Sequence, residues 1–235
     1  MRELAERHGL RLLEDSAHAL GTRIGGEHAG TLGFAGAYSF FSNKNLAIGE
    51  GGMLVCRDDE TAARVRLLRS HGMTSLSWQR HQGHAASYDV VALGHNFRID
   101  EARSALGLSR LARLDDDNSR RAALDARYRE LLAGAPGLTP ALVPPPGATL
   151  AHHLFTVVLD AGLDREAVRD ELSAAGVQTS VHYPPAHRFS MYEPAAAHLP
   201  ITDEAARRAL TLPLFAHMTD EQVEFVATTL REACA

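Results

Sequence analysis

Between Gly134 and Gly147 the chain holds five prolines and three glycines. Proline fixes φ and lacks an amide proton, and glycine favours turns, so no single helix or strand can cross this stretch. Whatever the chain folds into, it must stop and restart there. Upstream, short apolar runs alternate with helix-patterned segments, which reads as an α/β sheet domain. Downstream, strand and helix patterns begin again and read as a small α+β domain. The expected division is 1–114 for the first domain and 115–235 for a linking helix plus the second.

Glu3 to His8 reads as the end of a helix stopped by Gly9. Leu10 to Leu13 is a short apolar strand ending at Glu14-Asp15. Asp15 is thus expected at the carboxyl end of a strand, where open α/β sheets bind ligands. Ala37 to Phe41 and Met53 to Cys56 read as further strands, the second entered through Gly49-Glu50-Gly51-Gly52. Asp58 or Asp59 caps a helix to Leu68, and Met73 to Ser87 reads as a polar loop. Ile99 to Leu114 has helical spacing, and a helix from Arg120 to Leu132 follows the solvated cap Asp115-Asp116-Asp117. Past the proline-glycine break, Leu154 to Leu159 reads as a strand, Asp164 caps a helix closed by Gly176, and Val177 to His182 reads as another strand. Thr219-Asp220-Glu221-Gln222 is a capping-box signature for the last helix, to Glu232. The first domain yields about three strands where sheets usually hold roughly five or six. Either it is unusually small or part of it lies outside this chain.

Composition removes several classes of function. The net charge of −5 and pI near 6.2 make a poor nucleic-acid binder. No apolar run approaches the roughly 20 residues of a membrane span. Cys56 and Cys234 form no spacing motif, which fits a reducing cytoplasm. Of the 24 basic residues only Lys44 is a lysine; all the others are arginine. An amine can lose its proton and attack a carbonyl, whereas a guanidinium cannot. The single lysine is either the remainder of compositional drift or an amine kept for covalent work.

Its neighbourhood favours covalent work. Three segments stand out: Glu14-Asp15-Ser16-Ala17-His18-Ala19-Leu20-Gly21; Tyr38-Ser39-Phe40-Phe41-Ser42-Asn43-Lys44-Asn45-Leu46 followed by Gly49-Glu50-Gly51-Gly52; and Gly94-His95-Asn96-Phe97-Arg98. An aspartate at a strand end, a lysine on a nearby loop and a serine before it suit pyridoxal 5'-phosphate. That cofactor needs a lysine amine for its Schiff base and a carboxylate that keeps its ring nitrogen protonated. Burial or positive neighbours should lower the amine's pKa.

In this order and spacing the segments resemble the DegT/DnrJ/StrS sugar aminotransferases, pyridoxal-phosphate enzymes of the aspartate aminotransferase fold (fold type I). The resemblance extends through Arg69-Ser70-His71-Gly72, Val181-His182-Tyr183-Pro184 and Leu212-Pro213-Leu214-Phe215, so it covers essentially the whole chain. It implies that Lys44 is the Schiff-base lysine and the catalytic acid-base. It also implies that Asp15 pairs with the ring nitrogen, that His18 sits beside the ring oxygen and that Ser39 binds the phosphate. Asn96 would reach the phosphate of a neighbouring subunit's cofactor in a homodimer. Arg98 and His182 are candidates for substrate or interface contacts. The implied reaction moves an amino group, typically from glutamate, to a nucleotide-linked keto sugar in two ping-pong half-reactions. Family members also carry a long stretch before the helix that opens this chain, so 1–114 is expected to be the later portion of a large cofactor-binding domain.

Plainer readings stand beside these. Asp15 can be a turn residue, Ser39 a backbone-bonded hydroxyl, His18 a core histidine, Asn96 a cap of the following helix, Arg98 an ion-pair partner and His182 a polar strand end. His152-His153 would point to opposite faces of a strand, and His81 and His84 lie in a loop without a nearby carboxylate. No metal-ligand spacing is present, so no metal is expected. Three alternatives to the aminotransferase remain. A related sugar dehydratase would carry His where Lys44 stands; the others are a non-catalytic remnant or half of a split enzyme, and an unrelated α/β binding module.

Overall fold

The computed structural model describes residues 1–74, 87–141, 143–195 and 197–235. Most of the loop expected over Met73 to Ser87, including His81 and His84, lies outside the described residues. The chain forms two compact units, Met1–Leu114 and Asp115–Ala235.

In the first unit, helix α1 (Arg2–Arg7) stops at Gly9, whose φ of +60° lets the Leu10 amide turn back onto the Ala5 carbonyl at 2.8 Å. Strand β1 (Leu13–Asp15) is parallel to β4 (Ala35–Ser39), which pairs antiparallel with β5 (Gly52–Cys56). Between β1 and β4 lies a hairpin of two short strands, β2 (Arg23–Ile24) and β3 (Glu27–His28), turned through Gly25-Gly26. The register Asp15↔Ala37 and Ser39↔Gly52 places Asp15, Ala37, Ser39, Gly52 and Leu54 on one face. Glu14, Gly36, Tyr38 and Met53 take the other. β1 is an edge of this three-stranded sheet, and Leu13 on it is 69% exposed. Leu10 and Leu54 are also exposed. The buried cluster of this unit is small: Phe40, Leu46, Ile48 and Leu114, with Leu20 and Tyr38 against it.

Helix α2 (Asp59–Arg69) starts at Asp58, whose carboxylate accepts the Thr61 amide at 2.7 Å. Helix α3 (Glu101–Leu111) is capped by Asp100 through the Arg103 amide, not by Asn96. An extended segment before α3 is laced to the end of α2. The His95 amide donates to Leu68 at 2.7 Å, and the Phe97 amide to Arg69 at 3.0 Å. Gly72 and Gly94 permit this approach, since a Cβ on Gly94 would lie 2.2 Å from the Gly72 nitrogen.

The second unit is better filled. Helix α4 (Leu114–Leu131) runs through Asp115-Asp116-Asp117, which form its first turn rather than a cap ahead of a helix at Arg120; acidic residues there oppose the positive end of the helix dipole. Strand β6 (Leu138–Pro140) occupies part of the proline-glycine stretch, and a two-residue strand β7 (Ala148–Thr149) ends it. β8 (Phe155–Leu159) is the centre of a sheet flanked by β6 and by β9 (Ala209–Leu212). Helices α5 (Arg165–Ala174), α6 (Pro200–Arg208) and α7 (Asp220–Ala233) complete the unit, with short 3-10 turns at Ala186–Arg188 and Ser190–Ala195. Leu124, Tyr128, Phe155, Val157, Leu172, Leu210, Val223 and Leu230 pack into one core. The capping box at Thr219 and Gln222 forms in full. Val177 to His182 is not a strand; only Ser180 bridges to Thr211, so the run follows β9 without joining its ladder. His152 and His153 precede β8 instead of lying in it, and His152 takes a φ of +47°.

Arg121, buried in this unit, donates to the backbone carbonyls of His152, His153 and Leu214. Among the described residues no helix is long and apolar enough to cross a membrane, and no group of three His, Cys, Asp or Glu could hold a metal.

Candidate active site

Asp15 closes β1. The parallel ladder ends one residue later, with the Ser16 amide on the Ala37 carbonyl at 2.8 Å. The chain then turns, and the Ala17 amide donates to Asp15 Oδ1 at 3.1 Å while the Asp15 side chain stays exposed. His18 is half-buried inside the turn closed by the Ala19 amide on Ser16 at 3.0 Å. Ser39 ends the neighbouring strand on the same face as Asp15. Its Oγ accepts the Phe41 amide at 3.3 Å, so its own proton is available to another acceptor.

Lys44 rides on the loop between β4 and β5. Two hydrogen bonds close the base of that loop: Phe40 amide to Gly51 and Ile48 amide to Phe40, both 2.9 Å. Phe40, Leu46 and Ile48 are buried beneath it, and Asn45 beside Lys44 is buried as well. The glycines serve this closure. A Cβ on Gly52 would lie 2.7 Å from the Tyr38 carbonyl, and Gly49 takes a φ of +92°. The lysine is therefore held from both sides on a short, anchored loop.

Partial burial lowers the Lys44 pKa from the ordinary lysine range, and the Asp15 carboxylate opposes that shift. The carboxylate at the strand end and the only amine side chain thus sense each other's charge, although 29 positions separate them in sequence. Asp15 and Ser39 share one face of the sheet with the small, exposed residue Ala37, and Lys44 follows on the loop that leaves β4. The donor set fits pyridoxal phosphate: an amine, a carboxylate and a hydroxyl with a free proton.

The other candidates are placed elsewhere. Asn96 and Arg98 are exposed on the segment laced to α2, and the contacts that fix them run to that helix rather than to β1 or β4. In the same segment His95 stacks on Phe97, ring centroids 4.8 Å apart. His182 belongs to the second unit, where its Nδ1 lies 3.1 Å from Thr211 Oγ1. Glu14 was not singled out by the sequence. Its carboxylate accepts two backbone amides, those of Gly30 and Gly33, each at 2.7 Å. The signal available was a Glu-Asp pair on one strand, which must face opposite ways.

Residues 1–231 match the DegT/DnrJ/EryC1/StrS aminotransferase family. The chain belongs to this family. It is 36% identical over 241 residues to the spore coat polysaccharide biosynthesis protein SpsC of Bacillus subtilis, covering 97% of this chain and 61% of that one. It is 37% identical over 231 residues to the UDP-N-acetyl-3-dehydro-alpha-D-glucosamine 3-aminotransferase of Acidithiobacillus ferrooxidans, covering 97% and 58%. Among solved structures, the aminotransferase TlmJ of Streptoalloteichus hindustanus superposes with a TM-score of 0.89 at 34% identity, over 99% of this chain and 60% of that one. A PMP form of Spr1654 from Streptococcus pneumoniae superposes with a TM-score of 0.86 at 25% identity, over 96% and 59%. The family is thus one of pyridoxal-phosphate enzymes with sugar aminotransferases among its members, and the chain has their fold. It spans about 60% of the length of these relatives.

Proposed function

We propose that this chain carries the Schiff-base lysine of a pyridoxal-phosphate-dependent aminotransferase that moves an amino group from glutamate to a nucleotide-linked keto sugar. The observation that carries the reading is the placement of Asp15 and Ser39 on one face of the sheet, with the only lysine on the anchored loop that follows Ser39. Residues 1–114 are then the later portion of the cofactor-binding large domain, and 115–235 the linking helix and small domain.

Pyridoxal phosphate, when bound, supplies an aldehyde carbon for the amino group and a ring that takes up the electron pair of a broken C–H bond. Asp15 would hold a proton on the ring nitrogen, and His18 would serve the ring oxygen. Ser39 Oγ accepts from Phe41, which leaves its own proton to donate to the phosphate. Lys44 Nζ takes the proton from the amino-bearing carbon of the donor. It would pass that proton to the cofactor carbon that had been the aldehyde, and in the second half-reaction would take a proton from that carbon and deliver it to the carbon that was the sugar ketone. A pKa below the ordinary lysine range increases the fraction of amine able to accept that proton. Asn96 would serve the cofactor phosphate of a second copy in a homodimer, and Arg98 and His182 are each candidates for substrate or interface contacts. A dehydratase of this family would need histidine where Lys44 stands.

A second reading has its own observation. The sheet face holding Asp15 leaves Leu13 and Leu54 uncovered, which suits a remnant or one half of a split enzyme. Reduction with borohydride in the presence of pyridoxal phosphate, followed by peptide mapping, separates the two. Label on Lys44, lost in Lys44→Arg, is the expected result. Label confined to the amino terminus of Met1, or none, refutes cofactor binding by this chain.

A further inference from the structure

We propose that Glu14 is the positioning residue for Asp15: by gripping the turn Ala29–Gly33 on the far face of the sheet, it fixes the rotation of β1 that aims the Asp15 carboxylate at Lys44. The inference rests on the reading of Asp15 as the residue that serves the cofactor's ring nitrogen.

β1 is three residues long and lies at a sheet edge, so its ladder alone fixes its rotation poorly. Asp15 is exposed and adds only its bond from the Ala17 amide. Both its neighbours point the opposite way and are held by one turn. Glu14 accepts the Gly30 amide with Oε2 and the Gly33 amide with Oε1. Ser16, 2% exposed, packs against Gly30, where an added Cβ would lie 3.0 Å from its Oγ. The turn is itself tied down: Tyr38 donates its hydroxyl to Ala29 at 2.6 Å, and the Phe34 amide donates to Leu12 at 2.8 Å. Backbone meets backbone there, since a Cβ on Gly36 would lie 2.1 Å from the Gly30 carbonyl oxygen. Burial raises the Tyr38 pKa, and the nearby Glu14 carboxylate raises it further.

The geometry is specific to glutamate. Two amides need two acceptors on one group. Glutamine offers one acceptor and turns a donor toward the other amide, while aspartate carries the same two acceptors one methylene short of reaching them.

Because Lys44 is the only lysine, isotope-labelled lysine gives one side-chain NMR signal whose pH titration reports its surroundings. The full chain is compared with Asp15→Asn and Glu14→Asp, the second of which keeps the charge. Asp15→Asn is expected to lower the Lys44 pKa, because it removes the charge that opposes the shift. Glu14→Asp is expected to lower it in the same direction. A Glu14 that only supports the fold would lower the melting temperature of Glu14→Asp and leave the Lys44 titration in place, which overturns the proposal. So does a Lys44 titration unmoved by Asp15→Asn. Should Glu14→Asp not fold, exchange in the unaltered chain decides: the Gly30 and Gly33 amides should be protected, and free exchange at both overturns the grip. A Lys44 shift in Glu14→Asp without borohydride label on Lys44 would leave the positioning intact and remove the cofactor reading.

Discussion

Replacing Gly30 with alanine should loosen the first unit far more than the same change at Gly25. Both glycines have positive φ, +93° and +58°, so both alanines take on a left-handed backbone cost of about 1–2 kcal/mol. Their surroundings differ. A Cβ on Gly25 meets nothing within 4 Å, whereas on Gly30 it would lie 2.4 Å from the Tyr38 hydroxyl oxygen. That hydroxyl must withdraw and lose its bond to Ala29, at about 1 kcal/mol, and the crowding of Ser16 adds to the loss. The extra cost is then about 1.5–3 kcal/mol, a factor of ten or more in local opening. Amide exchange along Ala35–Ser39 reads it directly. Protection there should fall at least about tenfold further in Gly30→Ala than in Gly25→Ala. Equal losses would refute the reasoning that close approach, rather than backbone conformation alone, demands glycine at 30.

Three further outcomes follow from the same structure. Asp125 is buried, which would raise its pKa, but the His152 imidazole 3.4 Å away and the hydrogen bond from Arg129 outweigh the burial and hold it below the ordinary carboxylate value. Its contribution is therefore present above the unfolded value near 4 and lost as pH falls through the lower folded value, so the urea-midpoint gap between the natural chain and Asp125→Asn should be widest near neutrality and close in acid. Tyr128 is fully buried, stacks on Phe155 and donates to the Pro213 carbonyl at 2.9 Å. Tyr128→Phe should cost about 1–2 kcal/mol and Tyr128→Ala about 3–5 kcal/mol in denaturant unfolding; equal costs would assign the whole effect to the hydroxyl. Finally, the rate at which an amine-directed reagent labels Lys44 should reach half its maximum below the value near 10.4 of an unperturbed lysine, and an ordinary midpoint would remove the claimed burial.

The sequence was most legible where one residue acts on its own few neighbours. Asp58, Asp164 and Thr219 cap helices because their side chains meet amides two or three positions on. Asp15 could be placed at a strand end because Leu10 to Leu13 precede it and a turn follows. Features decided by distant partners were hidden. Val177 to His182 has strand composition, yet only Ser180 finds an edge on β9. The β2–β3 hairpin has two-residue strands, too short to show alternation, and its Gly25-Gly26 turn was the only clue. Asp115 to Asp117 read as a solvated cap because aspartate favours helix caps, but at a first turn the helix dipole favours it too. The grip of Glu14 on Gly30 and Gly33 spans 16 and 19 positions, and nothing in local spacing marks it.

The outer side of β1 carries one more consequence. Among the described residues its main-chain groups have no neighbouring strand, and exposed leucines stand beside them. Such an edge accepts any extended peptide that meets it, so aggregation should grow with concentration. In a cell it is also the kind of surface that chaperones hold and proteases sample. The steady-state amount of this polypeptide then depends on how quickly that edge is covered after synthesis.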